Sequence, residues 1–167
     1  MWLNSGGTSF TEQSFGISAR AVGAMDINND GRLDGVTSND ALSGMSRSEN
    51  LGSGQFAQAQ NIIDTAGENV YELHIADLDG DGYEEIFLGM FGSPANNLAG
   101  FASGIHIYKN NKDGTFAQNP IIIDTAEEVI TVMAGDLDAD GDLDLVYSDG
   151  TILGQGGPSF GANLNLG

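Results

Sequence analysis

Cysteine is absent from the 167-residue chain, so neither a disulfide nor a thiolate enters any account of how it folds or acts. Basic residues are scarce as well: 5 Lys and Arg stand against 24 Asp and Glu, for a formal net charge of −19. Charge of that sign and size repels phosphate backbones and anionic headgroups, which argues against nucleic acid and membrane surfaces as partners. Only 3 prolines accompany 25 glycines, a balance that suits many tight turns and few long helices. No apolar run approaches the ~18 residues of a membrane span. The opening Met1-Trp-Leu-Asn4 does not read as a signal peptide. It is as abrupt as the closing Asn163-Leu-Asn-Leu-Gly167, and the expectation is a piece of a longer protein. Hydrophobic residues still make up 40% of the chain, enough for one globular core.

What the chain has in excess is one acidic stretch written three times. Asp26-Ile-Asn-Asn-Asp-Gly-Arg-Leu-Asp34, Asp77-Leu-Asp-Gly-Asp-Gly-Tyr-Glu-Glu85 and Asp136-Leu-Asp-Ala-Asp-Gly-Asp-Leu-Asp144 all fit D-x-[DN]-x-D-G-x-x-[DE]. Oxygen-bearing side chains recur at the first, third, fifth and ninth positions, and a glycine at the sixth allows a sharp turn. Oxygens at that spacing suit a hard cation such as Ca²⁺, which takes six to eight of them. Thirteen of the 24 acidic residues sit in these loops, so three dications would offset charge where it is densest.

An EF-hand shares the first half of this pattern but needs a glutamate at the twelfth position and a helix on either side. The twelfth positions here are Thr37, Leu88 and Tyr147, and none carries a carboxylate. The flanks, such as Tyr71-Glu-Leu-His-Ile-Ala76, Ile86-Phe-Leu88 and Leu143-Asp-Leu-Val-Tyr147, are short and rich in β-branched and aromatic residues. They read as antiparallel strands joined by the acidic loop.

A second element repeats between the loops, a Gly/Asn turn ending in phenylalanine. Its copies are Asn4–Phe10, Asn50–Phe56, Asn110–Phe116 and Gly154–Phe160. Asn and Gly tolerate positive φ, so each copy is expected to be a hairpin turn between a third strand and a fourth. Ile62-Ile-Asp-Thr-Ala66 and Ile122-Ile-Asp-Thr-Ala126 echo one another as well. Each repeat therefore reads as a four-stranded sheet that must bury its faces against its neighbours, as propeller blades do. The expected fold is all-β: four-stranded antiparallel blades of a β-propeller, about three and a half of them, as a partial propeller or arc. Residues 1–16 are the half blade, and 17–64, 65–124 and 125–167 are the blades. Both loose ends read as third-and-fourth-strand pairs, neither able to supply the inner strands that the other would need.

The three loops resemble the calcium loops of FG-GAP/VCBS repeats, which build the integrin-α type of β-propeller. The turn Asn110-Asn-Lys-Asp-Gly-Thr-Phe116 resembles the NNGDGTF segment of VCBS blades, and Phe15-Gly16 and Leu88-Gly-Met-Phe-Gly92 are loosely similar to the FG and GAP elements. The resemblance implies about three bound Ca²⁺ ions. One site would use Asp26, Asn28, Asp30, Asp34 and the carbonyl of Arg32. The second would use Asp77, Asp79, Asp81, Glu85 and the carbonyl of Tyr83. The third would use Asp136, Asp138, Asp140, Asp144 and the carbonyl of Asp142. With the neutral Asn28 among its ligands, the first site is expected to bind most weakly.

The resemblance further implies an extracellular or cell-surface module for recognition, adhesion or assembly, with calcium holding the fold and no catalysis. Expected partners are protein, through self-assembly or flanking sequence, or an extracellular glycan. One alternative is a glycan-binding lectin with sites between blades, for which Trp2, Tyr71, Tyr83, Tyr108 and Tyr147 are the available aromatic platforms. Another is an accessory domain of a larger secreted enzyme. Within this chain, His74 and His106 fall in expected strands, and Ser43 and Ser93 have no recognisable histidine partner, so no catalytic constellation emerges.

Overall fold

The computed structural model describes residues 2–12, 18–39, 44–65, 69–91, 103–124, 129–149 and 159–163. Every regular element among them is a strand, and every pairing is antiparallel. Phe15-Gly16, Ser43, Gly92, Ser93 and the turn residues 154–158 lie outside the described residues.

The chain opens on a hairpin, β1 (Trp2–Gly6) and β2 (Ser9–Glu12). A four-stranded meander follows, made of β3 (Val22–Met25), β4 (Asp34–Asn39), β5 (Gly44–Ser48) and β8 (Gln60–Asp64). Between its last two strands stands a small hairpin of β6 (Asn50–Gly52) and β7 (Gln55–Phe56). The second meander is β9 (Asn69–Ala76), β10 (Glu85–Phe91), β11 (Gly104–Tyr108) and β12 (Ile121–Asp124). The third sheet, among the described residues, is β13 (Val129–Gly135), β14 (Asp144–Asp149) and β15 (Ser159–Asn163). Among the described residues the sheets do not close into a ring.

The expected hairpins are present at three of the four places. Asn4 pairs with Phe10, Asn50 with Phe56 and Asn110 with Phe116, each across a turn that holds residues at positive φ, such as Gly7, Ser53 and Lys112. The fourth place differs. Ser159–Asn163 does not open a fourth strand after a turn; it lies on β14 as a third strand, with Tyr147 opposite Gly161 and Ser148 opposite Phe160. Phe160, expected to lead into a fourth strand, thus stands in the strand that pairs directly with the second strand of its sheet.

Sequence period and packing meet in β10. Successive side chains of a strand point to opposite faces. Ile86, Leu88 and Met90 accordingly pack with Met25, Val36, Met45 and Ile63 of the first meander. Phe87 points the other way and packs with Val129, Val132 and Leu145 of the third sheet. A strand sandwiched between two sheets needs apolar residues at every position, which is why Glu85–Phe91 reads as a continuous apolar run after its first residue. Two hydrophobic layers thus lie between three successive sheets, each burial contributing roughly 1.5–3 kcal/mol per large side chain.

Candidate metal centre

Each acidic loop joins the first and second strands of a sheet: β3 to β4, β9 to β10 and β13 to β14. The first aspartate caps its loop from within. Asp26 accepts from the backbone N–H groups of Asp30 (3.0 Å) and Gly31 (2.7 Å), and Asp77 accepts from Asp81 (3.0 Å) and Gly82 (2.8 Å). Asp136 accepts from Ala139 (2.7 Å) and Gly141 (3.2 Å). The turn needs left-handed backbone, supplied at Gly31, Gly82 and Gly141.

The ninth-position carboxylate is the first residue of the following strand and is buried in all three loops: Asp34, Glu85 and Asp144. Glu85 accepts from the N–H of Leu78 (3.0 Å) and, more loosely, of Asn110 (3.4 Å), while Asp144 accepts from the N–H of Leu137 (2.8 Å). In the first loop Asp34 Oδ1 accepts from the N–H of Asn50 (2.8 Å). Its Oδ2 is buried with no hydrogen-bond donor, and the nearest cation is Arg47 Nε at 3.8 Å. Burial, outweighing these partners, raises the pKa of both Asp34 and Glu85. Asp138 is also held above the ordinary aspartate range, first by loss of hydration and then by the charges of Asp140, Asp144 and Asp136.

In the second loop oxygens of Asp77, Asp79 and Glu85 lie within 4.8 Å of one another, and in the third loop so do those of Asp136, Asp138 and Asp144. The first, third and ninth positions therefore converge as the sequence spacing implied, and either cluster could hold a metal ion. The fifth-position carboxylates are not members of these clusters, although both sit beside the third-position aspartate. Asp81 turns to the N–H of Tyr83 and to Lys112, whose ammonium at 2.7 Å holds its carboxyl below the usual range, and Asp140 turns to the N–H of Asp142. The first loop gathers no cluster of three carboxylates among the described residues, because its third position is Asn28. That amide donates to Asp30 (3.1 Å) and Glu49 (3.2 Å). Arg32 pairs with Asp30 at the loop's rim.

The donor set fits a hard divalent cation. It is all oxygen and predominantly anionic, it converges in two loops, and in the first it includes the undonated, buried Asp34 Oδ2. Sequence reasoning missed the residues that brace the loops from the next hairpin. Asn50 and Asn110 present their N–H groups to Asp34 and Glu85, and their side chains donate to the carbonyls of Leu33 and Glu84. The signal was the asparagine that opens each turn six residues before its phenylalanine.

Stacked antiparallel meanders with an acidic loop between first and second strands define a propeller-blade repeat protein. The chain belongs to the FG-GAP-like repeat family, which matches it over residues 26–88 and 97–147. No curated protein matches it. Among solved structures it is similar to a lectin from Agrocybe aegerita, described as specifically recognising non-reducing terminal N-acetylglucosamine. The identity is 22% and the TM-score 0.49, over 84% of this chain and 37% of that one. The chain thus spans well under half of that lectin's length.

Proposed function

We propose that this chain is a non-catalytic recognition or assembly module of extracellular or cell-surface type, whose acidic loops bind Ca²⁺ to hold the fold. The observation that carries the reading is the convergence of first-, third- and ninth-position carboxylates on Asp77, Asp79 and Glu85 and again on Asp136, Asp138 and Asp144. Each ninth carboxylate is the buried start of a strand, so an ion there ties the loop to the sheet rather than to a substrate. Calcium is favoured over Mg²⁺ because Mg²⁺ demands a compact octahedron and gives up its water reluctantly. Titration calorimetry tests this: up to three sites are expected, selective for Ca²⁺. Fewer than two sites, or equal affinity for Mg²⁺, overturns it.

The absence of catalysis is supported by where the histidines lie. His106 is fully buried in β11, and His74 is engaged with the third sheet. A glycan-binding reading has one observation in its favour. A polar cavity of about 450 Å³ lies between the first two blades, lined by Asn28, Arg47, Gln60, Asn61, Asp113 and Thr115 among others. Of the five aromatic candidates, the Trp2 side chain lies outside the described residues, and the other four have partners of their own. Tyr71 lies under the Arg20 guanidinium and Tyr83 under the Lys112 ammonium, while Tyr108 is buried and Tyr147 packs between sheets. A glycan array separates the two readings, since a recognition module for protein leaves it blank.

A further inference from the structure

Positions counted from the first aspartate of each loop are equivalent in the three sheets, and their exposure reports which neighbours each sheet has. Four residues before the loops stand Val22, Leu73 and Val132. Leu73 packs toward the first meander and Val132 toward the second, so this position faces the preceding sheet. Leu73 is 9% exposed and Val132 is 0%, whereas Val22, on the first meander, which has only the two-stranded β1–β2 hairpin before it among the described residues, is 70% exposed. Three residues before the loops stand Gly23, His74 and Met133. A Cβ at Gly23 would lie 2.7 Å from Ile75 of the second meander, and His74 bonds to Ala134 of the third sheet. This position faces the following sheet, and Met133 is 60% exposed. The second loop position repeats the pattern on the same face: Ile27 is 3% exposed and Leu137 is 51%.

From this we infer that the chain associates head to tail: the Met133–Leu137 face of the third sheet of one copy receives the Val22 face of the first meander of a second copy. The occupant is argued from the interfaces already formed. Twice within the chain, the face that carries Gly23 or His74 is covered by the face that carries Leu73 or Val132 of the next sheet. The uncovered faces at the two ends are the same two surfaces, so a third junction continues the established one. Met133 is long and unbranched and can adapt to a β-branched valine. The contact is heterologous, because the two surfaces differ, and such contacts give rings or open arrays according to whether the rotation closes. Charge opposes it: copies of an acidic chain repel, so association is expected once salt reduces the screening length to about 8 Å at 0.15 M.

Sedimentation of the full chain over a range of micromolar concentrations in such salt tests the proposal, with Val22→Glu and Met133→Glu as variants. The wild type is expected to sediment as more than one chain, and each variant as a single chain. An equal mixture of the two variants is expected to stop at pairs, since Met133 of one and Val22 of the other remain intact. Both side chains stand in solvent within one chain, so neither substitution is expected to move the melting transition of dilute samples. Wild type that stays a single chain at every concentration overturns the proposal and points to flanking sequence as the cover. So does a Val22→Glu variant that still associates, because the contact would then join two copies of one face.

Discussion

The imidazole of His74 accepts a hydrogen bond through Nε2 from the backbone N–H of Ala134, 3.1 Å away across the junction of the second and third sheets. An accepting Nε2 is an unprotonated one, so the junction needs neutral histidine with its proton on Nδ1. Burial agrees, lowering the pKa of His74 below its ordinary 6.5, and the ring also rests against Phe87.

The sign of the pH dependence follows. The unfolded chain binds this proton more readily than the folded one, so the contribution of His74 is complete above the ordinary histidine pKa. It is lost as pH falls below that value, by at most about 1.4 kcal/mol per pH unit for one proton. Glu72 also faces the third sheet, and burial raises its pKa. It works in the opposite sense at lower pH. Urea midpoints of the wild type and His74→Gln, which keeps an acceptor but cannot titrate, isolate the histidine. The stability difference between them is expected to shift in favour of the variant between pH 7 and 5; a constant difference rejects the account.

Calcium removal is expected to cost far more than any single contact. Each site filled at a hundredfold excess over Kd adds about 2.7 kcal/mol to the folded state. For a chain of this size each kcal/mol moves the melting temperature by roughly 2–4 °C. EGTA is therefore expected to lower melting by more than ~10 °C if two or more sites fill. Differential scanning calorimetry with and without the chelator checks it, and an unmoved transition means that the loops are solvated turns.

Much of this was legible in the sequence, and the reasons differ by element. The acidic loops are local: nine consecutive residues set their own geometry, so the first and ninth positions of Asp77–Glu85 meet as spacing alone implies. The hairpins at Asn4, Asn50 and Asn110 are local too. Strand assignment at Ser159–Asn163 is not, because its partner β14 is chosen by an open row of hydrogen-bonding groups, which no turn signal encodes. Lys109 and Lys112 were missed for a related reason. They lie some 30 residues beyond the carboxylates that they meet, and only the pairing of β10 with β11 brings them there.

Those two lysines give a third expectation. Lys109 Nζ lies 2.8 Å from Asp79 and Lys112 Nζ 2.7 Å from Asp81, so tethered ammonium groups occupy the third and fifth carboxylates of the second loop. These ion pairs raise the pKa of both lysines. A metal ion entering that loop has to compete with them. The Lys109→Gln, Lys112→Gln double variant is expected to bind Ca²⁺ at one site about two- to tenfold more tightly, in keeping with the modest strength of exposed ion pairs. It should also melt lower than the wild type in EGTA. Calorimetry that leaves every site affinity unchanged would show that the lysines stand aside once the ion is bound.

Phe87 is fully buried between the second and third sheets, among Val129, Val132 and Leu145. Truncation to alanine removes the ring from that layer, which Ile105 and Ile107 also line, and leaves a cavity, at a cost of about 3–5 kcal/mol. Chemical denaturation of Phe87→Ala in calcium measures it. A loss below ~1 kcal/mol would mean that the third sheet does not pack there in solution, since a well-packed core does not forgive so large a deletion.

The first loop offers a test in the opposite direction, a gain. Its third position is Asn28, where the other two loops have Asp79 and Asp138, and it alone lacks a cluster of three carboxylates among the described residues. Its buried ninth carboxylate, Asp34, is nevertheless in place with Oδ2 undonated. Ligand charge is one of the two properties that tune calcium affinity in oxygen-lined loops. Asn28→Asp supplies the missing charge, beside Asp30 and Glu49, with which Asn28 now shares its amide protons. Without calcium the variant is expected to melt lower than the wild type, because two donated hydrogen bonds become repulsions. With calcium the weakest of the sites is expected to tighten roughly tenfold, the larger ligand charge repaying that repulsion. Calorimetry and melting in EGTA read the two effects separately. If the weakest site keeps its affinity while the calcium-free variant is destabilised, Asn28 braces the loop and is no ligand.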